Sequence, residues 1–149
     1  MNKLRALTAY LLERRLVLEE QLDSWAEQVT LELVWKPDVD GMHLGDMRYR
    51  AVIVLERFAD HPGRLMALLG SWLEQHDAGR ADDDLPAPTF DIEQLDTDTA
   101  AVEITVEFIE PQYLAEDENG EIEAFGQRWA FVPFDLWVAE QGEVASHGA

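Results

Sequence analysis

Residues 47–58 read MRYRAVIVLERF, and residues 59–76 continue ADHPGRLMALLGSWLEQH. In the first stretch Tyr49, Ala51, Ile53 and Leu55 alternate onto one face, while Val52 and Val54 fill the other. Apolar, β-branched residues on both faces predict a central strand covered on both sides. In the second stretch Asp60 and His61 precede Pro62, and Asp caps a helix while Pro suits its first turn. Leu65, Leu68, Leu69, Trp72 and Leu73 then recur at helical spacing, with Gly79 as the expected stop.

Upstream, Leu4, Leu11, Leu18 and Trp25 recur every seven residues, with Leu7 and Leu22 on the same face and no Gly or Pro before Lys36. This predicts a helix over most of residues 4–25. From Gln28 the period changes to two: Val29, Leu31, Leu33 and Trp35 form the expected buried face of a strand, with Thr30, Glu32 and Lys36 outward. Pro37, Asp38, Asp40 and Gly41 mark a turn or loop.

Downstream, residues 81–88 (ADDDLPAP) predict an exposed loop, because three aspartates repel one another and two prolines remove backbone donors. Thr89 to Leu95 predicts a short strand. In the next strand Val102, Ile104, Val106 and Phe108 point inward and Glu103, Thr105 and Glu107 outward, and Pro111 is its expected end. Asn119-Gly120 carries the sequence signal of a type I′ turn, with Tyr113–Glu116 and Glu121–Phe125 as the arms of a protruding hairpin. Trp129 and Phe131 fit a last core strand, and Phe134 and Trp137 follow Pro133. The expected architecture is α+β, a mainly antiparallel sheet packed by an N-terminal and a central helix. Residues 1–141 are expected to form one domain, with 142–149 (GEVASHGA) as a flexible tail.

Composition narrows the chemistry. The 149 residues contain no cysteine, which excludes disulfides, thiolate metal sites and thiol catalysis. Eleven Lys and Arg stand against 31 Asp and Glu, a formal charge of −20. Such a field repels phosphate backbones, so no nucleic-acid partner is expected. The cations are also unevenly placed: after Arg64 only Arg80 and Arg128 remain. This polarity between halves would favour head-to-tail joining of subunits, although a generally solvated acidic surface explains it as well. Neither a signal peptide nor an apolar run of about 18 residues is visible, so a cytoplasmic protein without a membrane span is expected.

No catalytic signature survives inspection. Gly70-Ser71-Trp72 lies within a helical pattern and lacks the second glycine of a nucleophile elbow. No phosphate-binding glycine motif occurs. Aligning Gly120 with the glycine of a calcium-binding loop puts Ala115 and Gly126 where anionic ligands are needed. The four histidines have no ligand spacing. No enzyme, metal or cofactor is therefore expected, and the functional residues to look for are interface anchors. Tyr113 and Phe125 of the hairpin, with Phe134 and Trp137 of the C-terminal segment, are the candidates, since aromatics anchor assembly interfaces.

The run Arg48-Tyr49-Arg50-Ala51-Val52-Ile53-Val54, then Phe58, then Leu65 through Trp72-Leu73 and Gln75, resembles the tail completion protein R family of contractile-tailed bacteriophages. In that family a strand with an aromatic near its start leads to a helix with a Leu-x-x-Trp-Leu-type stretch, matched here by Leu68, Leu69, Trp72 and Leu73. The N-terminal Leu4-Arg5-Ala6-Leu7, the Phe90-Asp91-Ile92 strand and the strand from Val102 to Glu110 also fall where the family has its elements. The resemblance covers Leu4 to about Phe131, through packing patterns with no chemical motif among them. The acidic segment after Trp137 departs from it.

The resemblance implies a non-catalytic structural protein acting late in tail assembly and in tail–head joining, in a phage or a phage-derived tail-like bacteriocin. It implies tail tube or neck proteins as partners, self-association with a hexameric ring as the natural form on a six-fold tail, and a place in the virion tail or, during assembly, the host cytoplasm. The alternative from charge alone is an acidic DNA mimic that inhibits a DNA-binding enzyme, with its acids concentrated after Arg64.

Overall fold

The computed structural model describes residues 1–133. Two helices, α1 (Asn2–Glu13) and α2 (Pro62–His76), accompany six strands: β1 (Leu22–Asp38), β2 (Gly41–Phe58), β3 (Thr89–Gln94), β4 (Ala100–Glu116), β5 (Ile122–Ala124) and β6 (Gln127–Val132). The sheet order is β1-β2-β4-β6-β5, with β3 also pairing with β4. The fold is α+β with a mostly antiparallel sheet, as the sequence predicts. Phe134, Trp137 and the expected tail at 142–149 lie outside the described residues.

The chain divides into two compact units. The first comprises Met1, Lys3–Val29 and Arg48–Ile109. Its core is the one read from the sequence: Tyr49, Ala51, Ile53 and Leu55 of β2, Leu65, Leu69, Trp72 and Leu73 of α2, and Val102, Ile104, Val106 and Phe108 of β4 are all buried. Phe108 is the hub, its ring 5.8 Å from Tyr49 and 6.0 Å from Trp72, edge-on to the latter. The Tyr49 hydroxyl accepts the Leu4 N–H at 3.2 Å, which satisfies a first-turn donor that α1 itself cannot pair. Helix α2 is capped by His61, whose Nδ1 accepts the Gly63 N–H, while Asp60 binds the His61 N–H and the Arg64 guanidinium. β3 pairs antiparallel with β4, Phe90 opposite Ile104 and Ile92 opposite Val102.

Three elements differ from the sequence reading. Helix α1 stops at Glu13, and Arg15 adopts a left-handed φ of 53° that no continuing helix allows. Leu18 is exposed, and Trp25 belongs to β1. No residue in the sequence breaks this helix; pairing with β2 takes residues 22 onward into the sheet, and tertiary pairing outweighs local propensity. β2 is longer than expected and begins at Gly41, with Val39 and Asp40 as the turn.

β4 is the third. It runs through Pro111 to Glu116. On one flank β3 pairs with residues 100–105 and β6 with residues 113–116, which leaves a gap between them. In a strand, alternate residues turn their N–H and C=O to the same side, so residues 107, 109, 111 and 113 all face that flank. Pro111 thus loses its donor where no strand waits for it. The two carbonyls exposed in the gap are taken by cations: Arg80 Nη1 donates to Glu107 O at 3.1 Å and Lys3 Nζ to Ile109 O at 2.7 Å. Both cations also hold Asp77, each at 2.7 Å. One buried carboxylate therefore ties the start of α1, the end of α2 and the middle of β4 together.

The second unit comprises Asn2, Thr30–Met47 and Glu110 onward. Its core is small: Met42, Leu114 and Trp129 are buried, packed by Trp35, Leu44, Ile122 and Ala124. Trp129 Nε1 donates to Ala124 O at 3.0 Å. Here β6 lies between β4 and β5, with Leu114 opposite Phe131 and Ile122 opposite Trp129.

Candidate interaction surface

The hairpin of the second unit is made by β5 and β6. Its two-residue turn is Phe125-Gly126, both at positive φ (53° and 74°), between the paired Ala124 and Gln127. That is type I′ geometry, expected at Asn119-Gly120 and found six residues later. Asn119 and Gly120 instead form a tight turn on Asp117, whose side chain accepts the Asn119 N–H and whose carbonyl accepts the Gly120 N–H. Gly120 is still required, for a different reason: a Cβ there would collide with the Trp129 backbone. Accordingly Tyr113–Glu116 pairs with β6, and not with residues 121–125.

Two of the four anchors named from sequence lie within the described residues. Phe125 occupies the hairpin tip, 68% exposed, with its ring 5.2 Å from Trp35 and edge-on to it. Its left-handed φ is one that a bulky residue adopts at a cost, and glycine or asparagine would sit there more easily. Tyr113 is half-buried, 5.2 Å from the His43 ring, which in turn reaches Asp46 at 2.8 Å. Burial, and then the carboxylates of Asp38 and Asp46, push the Tyr113 phenol above its usual value, so it stays a neutral hydrogen-bonding group. The structure therefore does not bring these two aromatics into one cluster: Phe125 packs with Trp35 and Tyr113 with His43.

The largest apolar exposure lies where burial was expected. Every residue of β1 from Glu27 to Val34 is exposed, including Val29 (47%), Leu31 (52%) and Leu33 (54%). The sequence reading of a buried face on this strand is thus overturned. Alternation alone cannot say what covers a face, and no helix of the described residues lies over this one. Phe131, expected in the core beside Trp129, is likewise 53% exposed. Gln28 and Trp35 take positive φ and bound the row at either end.

Within the described residues no group of three or more acidic or histidine side chains is placed to hold a metal ion. Nor is any helix there long and apolar enough to cross a membrane. What these residues present is a set of apolar side chains on strands, the material of a protein–protein contact.

The family model of the P2 phage tail completion protein R (GpR) matches residues 1–133. The chain belongs to that family. No curated protein and no solved structure matches it. The family places its members among tail structural proteins. The exposure of Val29, Leu31 and Leu33 was missed in the sequence, where their alternation reads as one buried face of a strand.

Proposed function

We propose that this chain acts in the late stage of tail assembly, completing the tail end for joining to the head, as a structural part without catalytic activity. It does so by self-association into a ring, six subunits being the specific form, and by contact with tail tube or neck proteins. Membership of the tail completion family over residues 1–133 carries this reading. The exposed apolar positions support the contact role, with Tyr113, Phe125, Phe134 and Trp137 as anchors. The protein is made in the host cytoplasm and ends in the virion tail.

The test is deletion of the gene from a lysogen or tail-producing strain, followed by electron microscopy of the particles. Tails that accumulate without heads or with unfinished ends, restored by the gene in trans, are expected. Fully joined particles in normal number would sink the reading. Native mass spectrometry of the purified protein, alone and with tail tube protein, separates the ring from a monomeric plug. The DNA-mimic alternative gains nothing from the family.

A further inference from the structure

In the sheet β1, β2, β4 and β3 follow one another by pairing, so β1 and β3 are both edge strands among the described residues. Among the described residues β1 pairs only with β2, and β3 only with β4. An edge strand presents unpaired N–H and C=O groups, and natural proteins blunt such edges with charge, proline or cover. β1 carries Glu27 and Glu32 and β3 carries Asp91 and Glu93, yet between those acids β1 exposes Val29 and Leu31, and β3 leaves Ile92 40% exposed and Phe90 half-covered.

We infer that β1 of one copy pairs antiparallel with β3 of the next, extending the sheet from subunit to subunit. This rests on the self-association proposed above and names its surface. The register follows from charge and hydropathy. With Leu31 opposite Phe90, Val29 meets Ile92, Thr30 meets Asp91, and Glu32 meets Thr89. Apolar residues then face apolar ones and no acid faces an acid. Sliding by two residues sets the like charges of Glu32 and Asp91 directly opposite in one direction, which destabilises a sheet, and in the other sets the charged Glu27 against the apolar Ile92.

The contact is heterologous, joining two different surfaces, and such contacts form a ring when the rotation from copy to copy closes. A β1–β1 pair about a two-fold axis would cover only one edge and stop at a dimer. The β1–β3 contact covers both exposed edges at once. Four paired residues bury far less than the roughly 1,600 Å² of a standard interface, so a single contact is weak and ring closure supplies the rest.

The absence of native cysteine makes the test direct. Val29→Cys and Ile92→Cys are made separately; both side chains are exposed, so both variants fold. Directly opposed strand residues stand close enough for a disulfide. Mixed under mild oxidation, the two variants form a heterodisulfide dimer, while neither alone gives more than background. Cross-linking of Val29→Cys or Leu31→Cys with itself would overturn the β1–β3 assignment in favour of a two-fold pair. Thr30→Glu, which faces Asp91, weakens association roughly threefold per contact, and Asp91→Lys restores it.

Within residues 29–32 the alternate amides that point away from β2 exchange freely in dilute protein and become protected as concentration rises. Protection of those same amides in a dilute monomer would mean that the edge is covered within one chain, which also overturns the inference. Oligomers that form without the heterodisulfide refute the strand pairing and leave self-association standing. A protein that stays monomeric at every concentration refutes both. The heterodisulfide forming while gene deletion leaves tails complete would uphold the contact and sink the tail role.

Discussion

Asp77 is the residue on which most of the first unit's polar connections converge. Its carboxylate is buried at 6% exposure, with Lys3 on one oxygen and Arg80 on the other, both at 2.7 Å. The two cations also donate to the β4 carbonyls of Glu107 and Ile109, and Arg80 reaches Pro86 O at 3.2 Å as well. Removing one member of a buried ion network leaves the others desolvated and uncompensated, at a cost of about 3 kcal/mol or more. Asp77→Ala is therefore expected to lower stability by about 3 kcal/mol in urea unfolding. Arg80→Met falls in the same direction, because it also orphans Glu107 O. The Asp60–Arg64 pair is as short, at 2.6 Å, but both side chains are largely exposed. Water competes for such a pair, so Arg64→Met is expected to leave the unfolding midpoint nearly unchanged. Equal losses from Arg80→Met and Arg64→Met would contradict this ranking.

At the scale of elements, the hairpin tip and the start of α2 give separate tests. Phe125 holds a left-handed φ that costs a bulky residue on the order of 1–2 kcal/mol. Its edge-on contact with Trp35 returns about 0.5–1.5 kcal/mol. The two nearly cancel, so Phe125→Asn is expected to shift stability by less than about 1 kcal/mol while weakening self-association. A large loss of stability with association intact would make Phe125 a packing residue and remove it as an anchor.

For α2, the His61 N–H and then Arg64 hold the Asp60 carboxyl below its usual 3.8; at the turn before β4, the Asp98 N–H and then Thr99 do the same for Asp96. A depressed carboxyl stabilises the fold fully above its unfolded value and loses that contribution as pH falls through the folded one. Stability should thus drop between pH 4 and pH 2, and Asp60→Asn should make that drop smaller in denaturant titrations at the two pH values. An unchanged drop would mean Asp60 adds nothing at acid pH.

These elements also show what the sequence could tell. β2, α2 and the inner face of β4 were legible because their partners bury one clear face, which leaves periodicity as the dominant signal. The end of α1 was not, since residues 14–25 keep an unbroken heptad and only pairing with β2 draws them into the sheet. The continuation of β4 past Pro111 depends on a gap between β3 and β6, a tertiary fact. The turn at Phe125-Gly126 was masked by a better local signal at Asn119-Gly120, where close approach to Trp129 selects glycine. Of the exposed apolar positions, Phe125 was named from the sequence; the β1 row was not, because alternation marks one face of a strand without saying whether anything covers it.

For the whole molecule, the formal charge of −20 decides the sign of the salt effect on association. Two copies brought together repel over distances of a Debye length, about 10 Å at 0.1 M salt and 3 Å at 1 M. The proposed contact itself is apolar, with Val29, Leu31, Phe90 and Ile92 at its centre and no ion pair to lose. Screening therefore removes a penalty and takes away no attraction. Association is expected to tighten as sodium chloride rises from 0.05 to 0.5 M, read as a growing oligomer fraction in sedimentation velocity. An acidic DNA mimic would behave in the opposite sense toward its basic target, because its attraction is the term that salt weakens. Thr30→Lys should blunt the salt response by setting a cation against Asp91, so that its oligomer is tighter than wild type at low salt and converges with it at high salt. Dissociation of the wild-type oligomer by salt would show that ion pairs hold it, and would move the contact away from the apolar edges of β1 and β3.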